Sequence, residues 1–216
     1  MKDAQNLSEK DLSVAKKSKM TKKNGLLLDL LIIMFVVMLA FGTSVALREY
    51  VILSTNVEGT SMESTLFTKD KVYMLRTNKV GRGDIIRLEN PCPLEYNADG
   101  SPKDKYLIKR VIGIAGDTVE IRGDGYVYLN GEKLIEAYTK TQGSTFSFEW
   151  LGDTNIKIGT IYEPIIYIVP ENEVFVLGDN REVSLDGRRF GTVSLDKVYG
   201  KTLFVIRGSK IIFLKK

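Results

Sequence analysis

The strongest pattern of hydrophobic positions is a continuous apolar run near the start of the chain, residues 26–47. The run reads LLLDLLIIMFVVMLAFGTSVAL, and its one charged side chain is Asp29. About 20 apolar residues, rising roughly 1.5 Å each, cross a bilayer core that is about 30 Å thick. A helix without a polar face is also not typical of the amphipathic helices that pack onto a soluble core. We therefore predict a transmembrane helix over residues 26–47.

A cleaved signal peptide is the alternative for this segment, because Ser44-Val45-Ala46 resembles a small-x-small cleavage site. Two features favour an uncleaved anchor. The charged segment that precedes the run, residues 1–25, is long for the amino region of a signal peptide. The run itself exceeds the usual apolar core of roughly 7–15 residues. Whether the chain is cut near Ala46 stays open from the sequence alone.

Segments rich in β-branched and aromatic residues dominate the remainder, residues 48–216. They predict strands over residues 72–75, 84–88, 106–114, 118–121, 126–129, 165–169, 173–177 and 203–206. Gly123-Asp124-Gly125 separates two of these strands and indicates a hairpin. The polar stretches 91–105 and 141–159 predict long loops. The expected fold class is mainly β, with a β-rich extracytoplasmic domain after one N-terminal transmembrane helix.

The net charge of +4 is concentrated ahead of the apolar run. Residues 1–25 carry seven lysines and three acidic side chains, so residues 26–216 are neutral overall. A neutral body lacks the basic character that binding to a nucleic acid backbone usually shows, so we expect no nucleic acid partner. Lysines favour the cytoplasmic side of a membrane span. We therefore expect a cytoplasmic basic tail over 1–25, an anchor over 26–47 and a domain on the outer face over 48–216.

The chain contains no histidine and a single cysteine, Cys92. These counts exclude a Ser-His-Asp triad and a disulfide within the chain, and they argue against a zinc site. We predict neither a metal ion nor another cofactor. A serine nucleophile in this chain would need activation by a lysine, a carboxylate or an amine.

Two stretches of the outer domain carry candidate nucleophile chemistry. Ser61 lies in a polar segment, residues 57–66, shortly after the predicted span, where the alternative is an ordinary surface turn. Lys109 lies within the predicted strand 106–114. Because side chains alternate along a strand, Lys109 shares a face with Leu107 and Val111.

A lysine held among apolar neighbours has a lowered pKa, because burial disfavours the charged ammonium. To act as a base near neutral pH, Lys109 needs a pKa about 3 units below its usual value, which corresponds to roughly 4 kcal/mol. Burial can supply a free energy of that size. The pattern leaves one alternative open, in which Lys109 is solvated and Arg110 faces inward with Ile108 and Ile112.

A third polar cluster, residues 178–191, follows the predicted strand 173–177. It reads GDNREVSLDGRRFG and is dense in Asp and Arg, which can pair through two parallel hydrogen bonds. By itself this cluster is typical of a salt-bridged surface loop.

Taken together and in this order, these stretches resemble the motifs of the bacterial type I signal peptidase family, serine proteases with a Ser-Lys dyad. The matching residues are Ser61-Met62 with Thr65-Leu66, Gly83-Asp84-Ile85-Ile86, Lys109-Arg110-Val111-Ile112-Gly113 with Gly116-Asp117, and Gly178-Asp179-Asn180-Arg181 with Ser184, Asp186 and Arg188. The likeness extends over most of residues 26–207. It implies a membrane-bound endopeptidase that removes signal peptides from secreted preproteins and cuts after small residues.

The resemblance also implies roles for individual residues. Ser61 would attack the scissile carbonyl, Lys109 would take its proton, and Ser184 would orient the lysine amine. The supporting residues of the site would be Arg110, Asp179, Asn180, Arg181, Asp186 and Arg188. Met62 would contact substrate or dip towards lipid, so the expected partners are secreted preproteins and the lipid bilayer.

Four positions depart from the family pattern: Gly59, Ser64, Ala115 and Gly187. Gly59 stands where some members carry a hydroxyl that helps to stabilise the oxyanion, and Ser64 stands where Pro is usual. These departures keep open an inactive, membrane-anchored binding module as an alternative. A second alternative, a Ser-Lys protease like the self-cleaving repressors, is disfavoured because that class lacks a membrane span.

Overall fold

The computed structural model describes residues 28–45, 51–145 and 164–214. The chain divides into two compact units, Met1–Glu49 and Tyr50–Lys216.

The first unit contains helix α1, which runs over Leu28–Val45. Among the described residues, it is the one helix that is long and apolar enough to cross a membrane. Several features predicted from sequence lie outside the described residues: the tail 1–25, both ends of the span, Ala46 of the candidate cleavage site, and residues 146–159 of the second loop.

The second unit consists mostly of β-strands, which confirms the predicted fold class. The strands are β1 (Ile52–Asn56), β2 (Lys71–Leu75), β3 (Ile85–Glu89), β4 (Tyr106–Ile114), β5 (Thr118–Ile121), β6 (Val127–Leu129), β7 (Glu132–Lys133), β8 (Ile165–Ile168), β9 (Glu173–Leu177), β10 (Val193–Ser194), β11 (Val198–Arg207) and β12 (Lys210–Ile212). A short helix, α2 (Gly187–Phe190), and a 3₁₀ turn, Leu195–Lys197, lie between β9 and β11.

The strands form two antiparallel sheets. The larger sheet has the order β1-β2-β11-β3-β4-β9-β10, with β12 paired to β11. The smaller sheet has the order β7-β6-β5-β8. Because β5 to β8 follow β4 in the chain and precede β9, the smaller sheet is an insertion between two neighbouring strands of the larger one.

Every strand predicted from sequence has a counterpart, and the hairpin at Gly123-Asp124-Gly125 is confirmed by the antiparallel pairing of β5 with β6. Strands β1, β7, β10 and β12 were not predicted, because they are short or polar. Strand β11 extends well beyond the predicted residues 203–206. Its first half contains Gly200, where an added Cβ would lie 2.9 Å from Leu53 Cδ2, so a glycine is needed for this close approach.

Strand β4 is central to the core, because its middle residues are buried on both faces of the sheet. On one face, Val111 packs against Ile86 and Val176. On the other face, Ile112 packs into the core of the smaller sheet. At Gly113 an added Cβ would lie 2.7 Å from Val119 Cγ2, so only glycine permits the two sheets to approach this closely. The polar residues of β4 are therefore held in a rigid, desolvated setting.

Candidate active site

Ser61 lies on a tight turn between β1 and β2. The turn is anchored by its apolar residues: Met62 and Leu66 are 2% and 0% exposed, and the Leu66 amide donates to Met62 O at 2.8 Å. Because these two side chains are fixed in the core, the half-buried Ser61 next to Met62 has a defined position. This turn is the structure of the segment predicted to carry the nucleophile.

The amine of Lys109 reaches Ser61 directly. Lys109 Nζ donates a hydrogen bond to Ser61 Oγ at 2.8 Å. The Lys109 side chain is 2% exposed, so the alternative in which it faces solvent is wrong. Arg110 is buried as well, because both faces of β4 are covered, and the alternation of side chains alone could not have shown this.

Burial lowers the pKa of Lys109 to about 8, against the opposing effect of the carboxylates of Asp186 and Asp179, which favour the ammonium. A base that is fully neutral near pH 7 would need a pKa about 3 units below the usual value, and the pKa of Lys109 lies somewhat above that level. A substantial fraction of the amine is nevertheless neutral near pH 8. A neutral amine beside a serine hydroxyl is the arrangement that a general base requires.

Arg110 and Asp179 form a buried ion pair close to Ser61 and Lys109. Arg110 Nε and Nη2 donate to the two carboxylate oxygens of Asp179 at 2.9 and 2.7 Å. Thr65 donates its hydroxyl to the same carboxylate, and the Arg110 guanidinium lies 3.9 Å above the Tyr138 ring. The pair joins the strand of Lys109 to the turn that follows β9, and Thr65 joins both to the turn of Ser61.

Asn180 binds two consecutive backbone carbonyls, those of Thr60 and Ser61. Its Nδ2 donates to Thr60 O at 3.0 Å, and its backbone N–H donates to Ser61 O at 3.1 Å. The neighbouring Gly178 packs against the same residue, since an added Cβ there would lie 2.5 Å from Ser61 O and 2.1 Å from Ser184 Oγ. The turn after β9 therefore fits closely against the backbone of Ser61.

Asp186 and Arg188 form a second buried pair behind this turn. Asp186 accepts from Arg188 Nε at 2.9 Å and from the Gly178 amide at 3.0 Å. Burial acts to raise the pKa of Asp186, but the charge and hydrogen bonds of Arg188 outweigh it, so the pKa lies below its usual range. Asp186 is therefore an anion that fixes the Gly178 backbone.

Arg181 binds two residues, Glu136 and Thr145, that were not predicted to belong to the site. Its guanidinium pairs with the buried carboxylate of Glu136 and donates to Thr145 Oγ1 at 2.8 Å. Its Nε donates to Gly178 O at 2.9 Å. A buried arginine requires an anion. The sequence contains many carboxylates and does not indicate that Glu136 is the one that pairs with Arg181.

Ser184 lies within this cluster but makes no hydrogen bond to Lys109. Its Oγ is buried and lies beside the Asp186 carboxylate, whose pKa it helps to lower by hydrogen bonding. Its predicted role in orienting the amine stays a prediction.

Met62 anchors the turn from within the core. Its side chain is 2% exposed and packs with Leu53, Val57 and Val72. The expectation that it dips towards lipid stays a prediction. Met62 also lines the cleft beside Ser61, so a contact with substrate stays a prediction.

Three of the positions that depart from the family pattern, Gly59, Ser64 and Gly187, have defined local contacts or backbone conformations. Gly59 has a positive φ of 80° and open space at its Cβ position, and it supplies no hydroxyl beside Ser61. Ser64 follows a cis peptide bond and donates its hydroxyl to Tyr138 O at 2.9 Å. Gly187 is the first residue of α2, where an added Cβ would lie 2.8 Å from Val176 O.

A cleft of about 900 Å³ contains Ser61 and Lys109. Its lining includes two continuous backbone segments, residues 54–62 and residues 103–109. Among the described residues there is no cluster of three or more His, Cys, Asp or Glu side chains that could hold a metal ion.

Comparison with known proteins places these features in a known group. The family model described as signal peptidase, peptidase S26, matches residues 28–207. Signal peptidase I of Bacillus licheniformis is 33% identical over 189 residues, which cover 85% of this chain and 90% of that protein. Signal peptidase IB of Staphylococcus aureus strain N315 is 29% identical and covers 76% of this chain and 83% of its own. The crystal structure of a signal peptidase I from Enterococcus faecalis V583 is 31% identical, covers 58% of this chain and 97% of its own, and gives a TM-score of 0.40.

Proposed function

Because the chain belongs to the signal peptidase family, peptidase S26, we propose that its activity rests on a catalytic dyad of Ser61 and Lys109. Membership makes the chain a serine endopeptidase that removes signal peptides, and the apolar helix α1 fits a membrane anchor. The observation that carries the proposal is the 2.8 Å contact between Lys109 Nζ and Ser61 Oγ inside the cleft. An ordinary surface serine has no buried amine beside it.

The reaction begins when the Lys109 amine is neutral. Its lone pair then accepts the proton of the Ser61 hydroxyl while Oγ attacks the carbonyl carbon of the scissile bond. The proton passes from Lys109 to the leaving nitrogen as the C–N bond breaks, which leaves the signal peptide as an ester on Ser61. The neutral amine then takes a proton from a water molecule as the water oxygen attacks the ester carbon. Lys109 returns this proton to Ser61 Oγ as the ester C–O bond breaks, which frees the signal peptide and restores both groups.

The Ser61 amide is the proposed donor to the oxyanion. Among the described residues it has no hydrogen-bond acceptor of its own. Asn180 binds Thr60 O, the carbonyl of the same peptide unit, so the N–H on its opposite edge has a fixed direction. Gly59 contributes no hydroxyl, so the amide carries more of this task, and losing such a donor costs about 2.7–4 kcal/mol in other enzymes.

The buried polar residues around Ser61 and Lys109 hold these two side chains at a fixed separation. Asp179, Arg110 and Thr65 tie the base strand to the nucleophile turn, and this arrangement supports a fixed distance between amine and hydroxyl. Ser184, whose buried hydroxyl also interacts with Asp186, is the proposed partner that orients the lysine amine once substrate is bound.

The substrates in this proposal are secreted preproteins, cut after small residues at the first and third positions before the bond. The lysine-rich tail stays in the cytoplasm and the catalytic domain lies on the outer face, as the charge distribution favours. An anchor in the same bilayer as the substrate raises the effective concentration of cleavage sites.

The proposal is tested by incubating the detergent-solubilised full chain with a preprotein and measuring the mature product by mass. We expect Ser61→Ala and Lys109→Ala to abolish cleavage. Ser64→Ala and Lys71→Ala, which remove another serine of the same turn and a lysine of β2, should retain it. Cleavage at the wild-type rate by either dyad variant would refute the assignment.

A further inference from the structure

Arg87 is a cation in the same cleft as the dyad, and the mechanism above does not use it. It lies on β3 directly opposite Ile108 of β4, the residue before Lys109. Residues paired across antiparallel strands project from the same face. Arg87 and Ile108 therefore stand side by side, and both line the cleft that contains Ser61.

The guanidinium of Arg87 is held flat by an aromatic ring. Its central carbon lies 3.7 Å above the centroid of the Tyr106 ring, which in turn packs edge-on against Tyr199 at 5.2 Å. Stacking occupies the face of the guanidinium and leaves its N–H edge available, since Arg carries five donors in one plane. The orientation of these donors is thus fixed before any substrate arrives.

No anion within the described residues satisfies these donors. The side chain of Arg87 makes neither a hydrogen bond nor an ion pair there. Glu89, on the same face of β3, is bonded to Lys197 at 3.0 Å and to the Tyr199 hydroxyl at 3.2 Å. Asp104 and Glu58 line the cleft but lie beyond ion-pair distance of Arg87.

The surroundings make this cation costly to leave unpaired. Partial burial lowers the pKa of Arg87, and the positive charge of Arg76 adds to the effect. A half-buried arginine with unused donors binds a carboxylate well, because both groups are planar and two parallel hydrogen bonds can form.

We infer that Arg87 forms a subsite that recognises an acidic side chain of the substrate close to the scissile bond. The inference rests on the proposed function and specifies its substrate class. Ile108 is adjacent to Lys109 in the chain, and an extended peptide advances by about 3.3 Å per residue, so the acidic residue lies within about three positions of the cleaved bond.

The test uses model preproteins that carry Glu or its isostere Gln at one of four positions, namely the second before the cleavage site and the first three after it. The first and third positions before the bond keep small residues in every substrate. For the full chain in detergent at low salt, kcat/KM should favour Glu over Gln by about fivefold or more at one position, as a charge-assisted hydrogen bond would give. Arg87→Met should bring this ratio to about one, and Arg87→Glu should lower it below one, because the new carboxylate repels an acidic side chain.

Arg76→Met is the matched control, because Arg76 carries the same charge nearby, is exposed and does not line the cleft. It should keep the ratio of the wild type. Binding of uncleaved Glu and Gln peptides to the Ser61→Ala variant gives a second measurement that does not depend on the folding of an Arg87 variant, and the Glu peptide should bind more tightly.

Equal rates for Glu and Gln at all four positions, or an equal loss of preference in Arg76→Met, would overturn the subsite. If the wild type cleaves none of these substrates, the proposed function itself fails. If it cleaves them without an acidic preference, only the subsite fails.

Discussion

Replacing Lys109 by Met should stabilise the protein at neutral pH while abolishing its activity. Met has a similar length and no charge, so it fills the same space without a desolvated ammonium. Burial lowers the pKa of Lys109 from 10.5 to about 8. At 1.36 kcal/mol per unit, keeping the lysine protonated in the folded state costs about 3 kcal/mol.

The sign of this effect follows from proton binding. Between about pH 8 and 10.5 the unfolded state keeps the Lys109 proton and the folded state has lost it, so the stability of the wild type rises with pH. Below pH 8 both states are protonated and the full cost is present. The variant should therefore exceed the wild type in free energy of unfolding by up to about 3 kcal/mol at pH 7, and the gap should close towards pH 10.5.

Urea unfolding of the full chain in detergent, followed by circular dichroism from pH 7 to 10.5, measures this gap. Lys103→Met is the control, because the hydrogen bond from Lys103 to Glu95 raises the pKa of Lys103 and its contribution should not fade within this window. A difference between Lys109→Met and wild type that stays constant from pH 7 to 10.5 would show that the amine is not destabilised by burial, and it would refute the electrostatic reasoning.

Two further substitutions test the structure around the dyad. Asp179→Asn removes the anion that pairs with the buried Arg110 guanidinium and should lower the free energy of unfolding by about 3 kcal/mol; a loss below about 1 kcal/mol in urea titrations would contradict the importance of this pair. Gly178→Ala places a Cβ 2.1 Å from Ser184 Oγ and should reduce kcat at least about tenfold by displacing the turn. Gly81→Ala, whose nearest contact would be 3.9 Å, is its control; equal rates in the two variants would contradict the packing account.

The sequence predicted the strands well where an unbroken apolar or alternating pattern spans the element, as in β4. It failed at β1 and β12, which are polar or short, and at the first half of β11, where Gly200 interrupts the pattern. These strands form because neighbouring strands offer them hydrogen bonds and packing, which is tertiary information that no local pattern contains.

The family resemblance pointed to residues that the fold brings close together, and periodicity alone would not have done so. Strand alternation could not decide whether Lys109 or Arg110 faces inward, because the fold buries both. Glu136 and Tyr138 were missed, since each lies far along the chain from its arginine partner in a segment without a regular pattern. The role of Met62 as the core anchor of its turn was also missed, because an apolar residue within a polar segment does not show locally which core it packs against.

The pH dependence of kcat/KM tests the central claim most directly, because this ratio reports the ionisation of the free enzyme. It should be measured on the full chain with a substrate that has no group titrating between pH 6 and 10. A neutral Lys109 base predicts a rise governed by one proton, with an apparent pKa of about 8 and a plateau above it. A rate that does not change with pH in this range, or that is still rising near pH 10, would contradict a desolvated lysine as the base for Ser61.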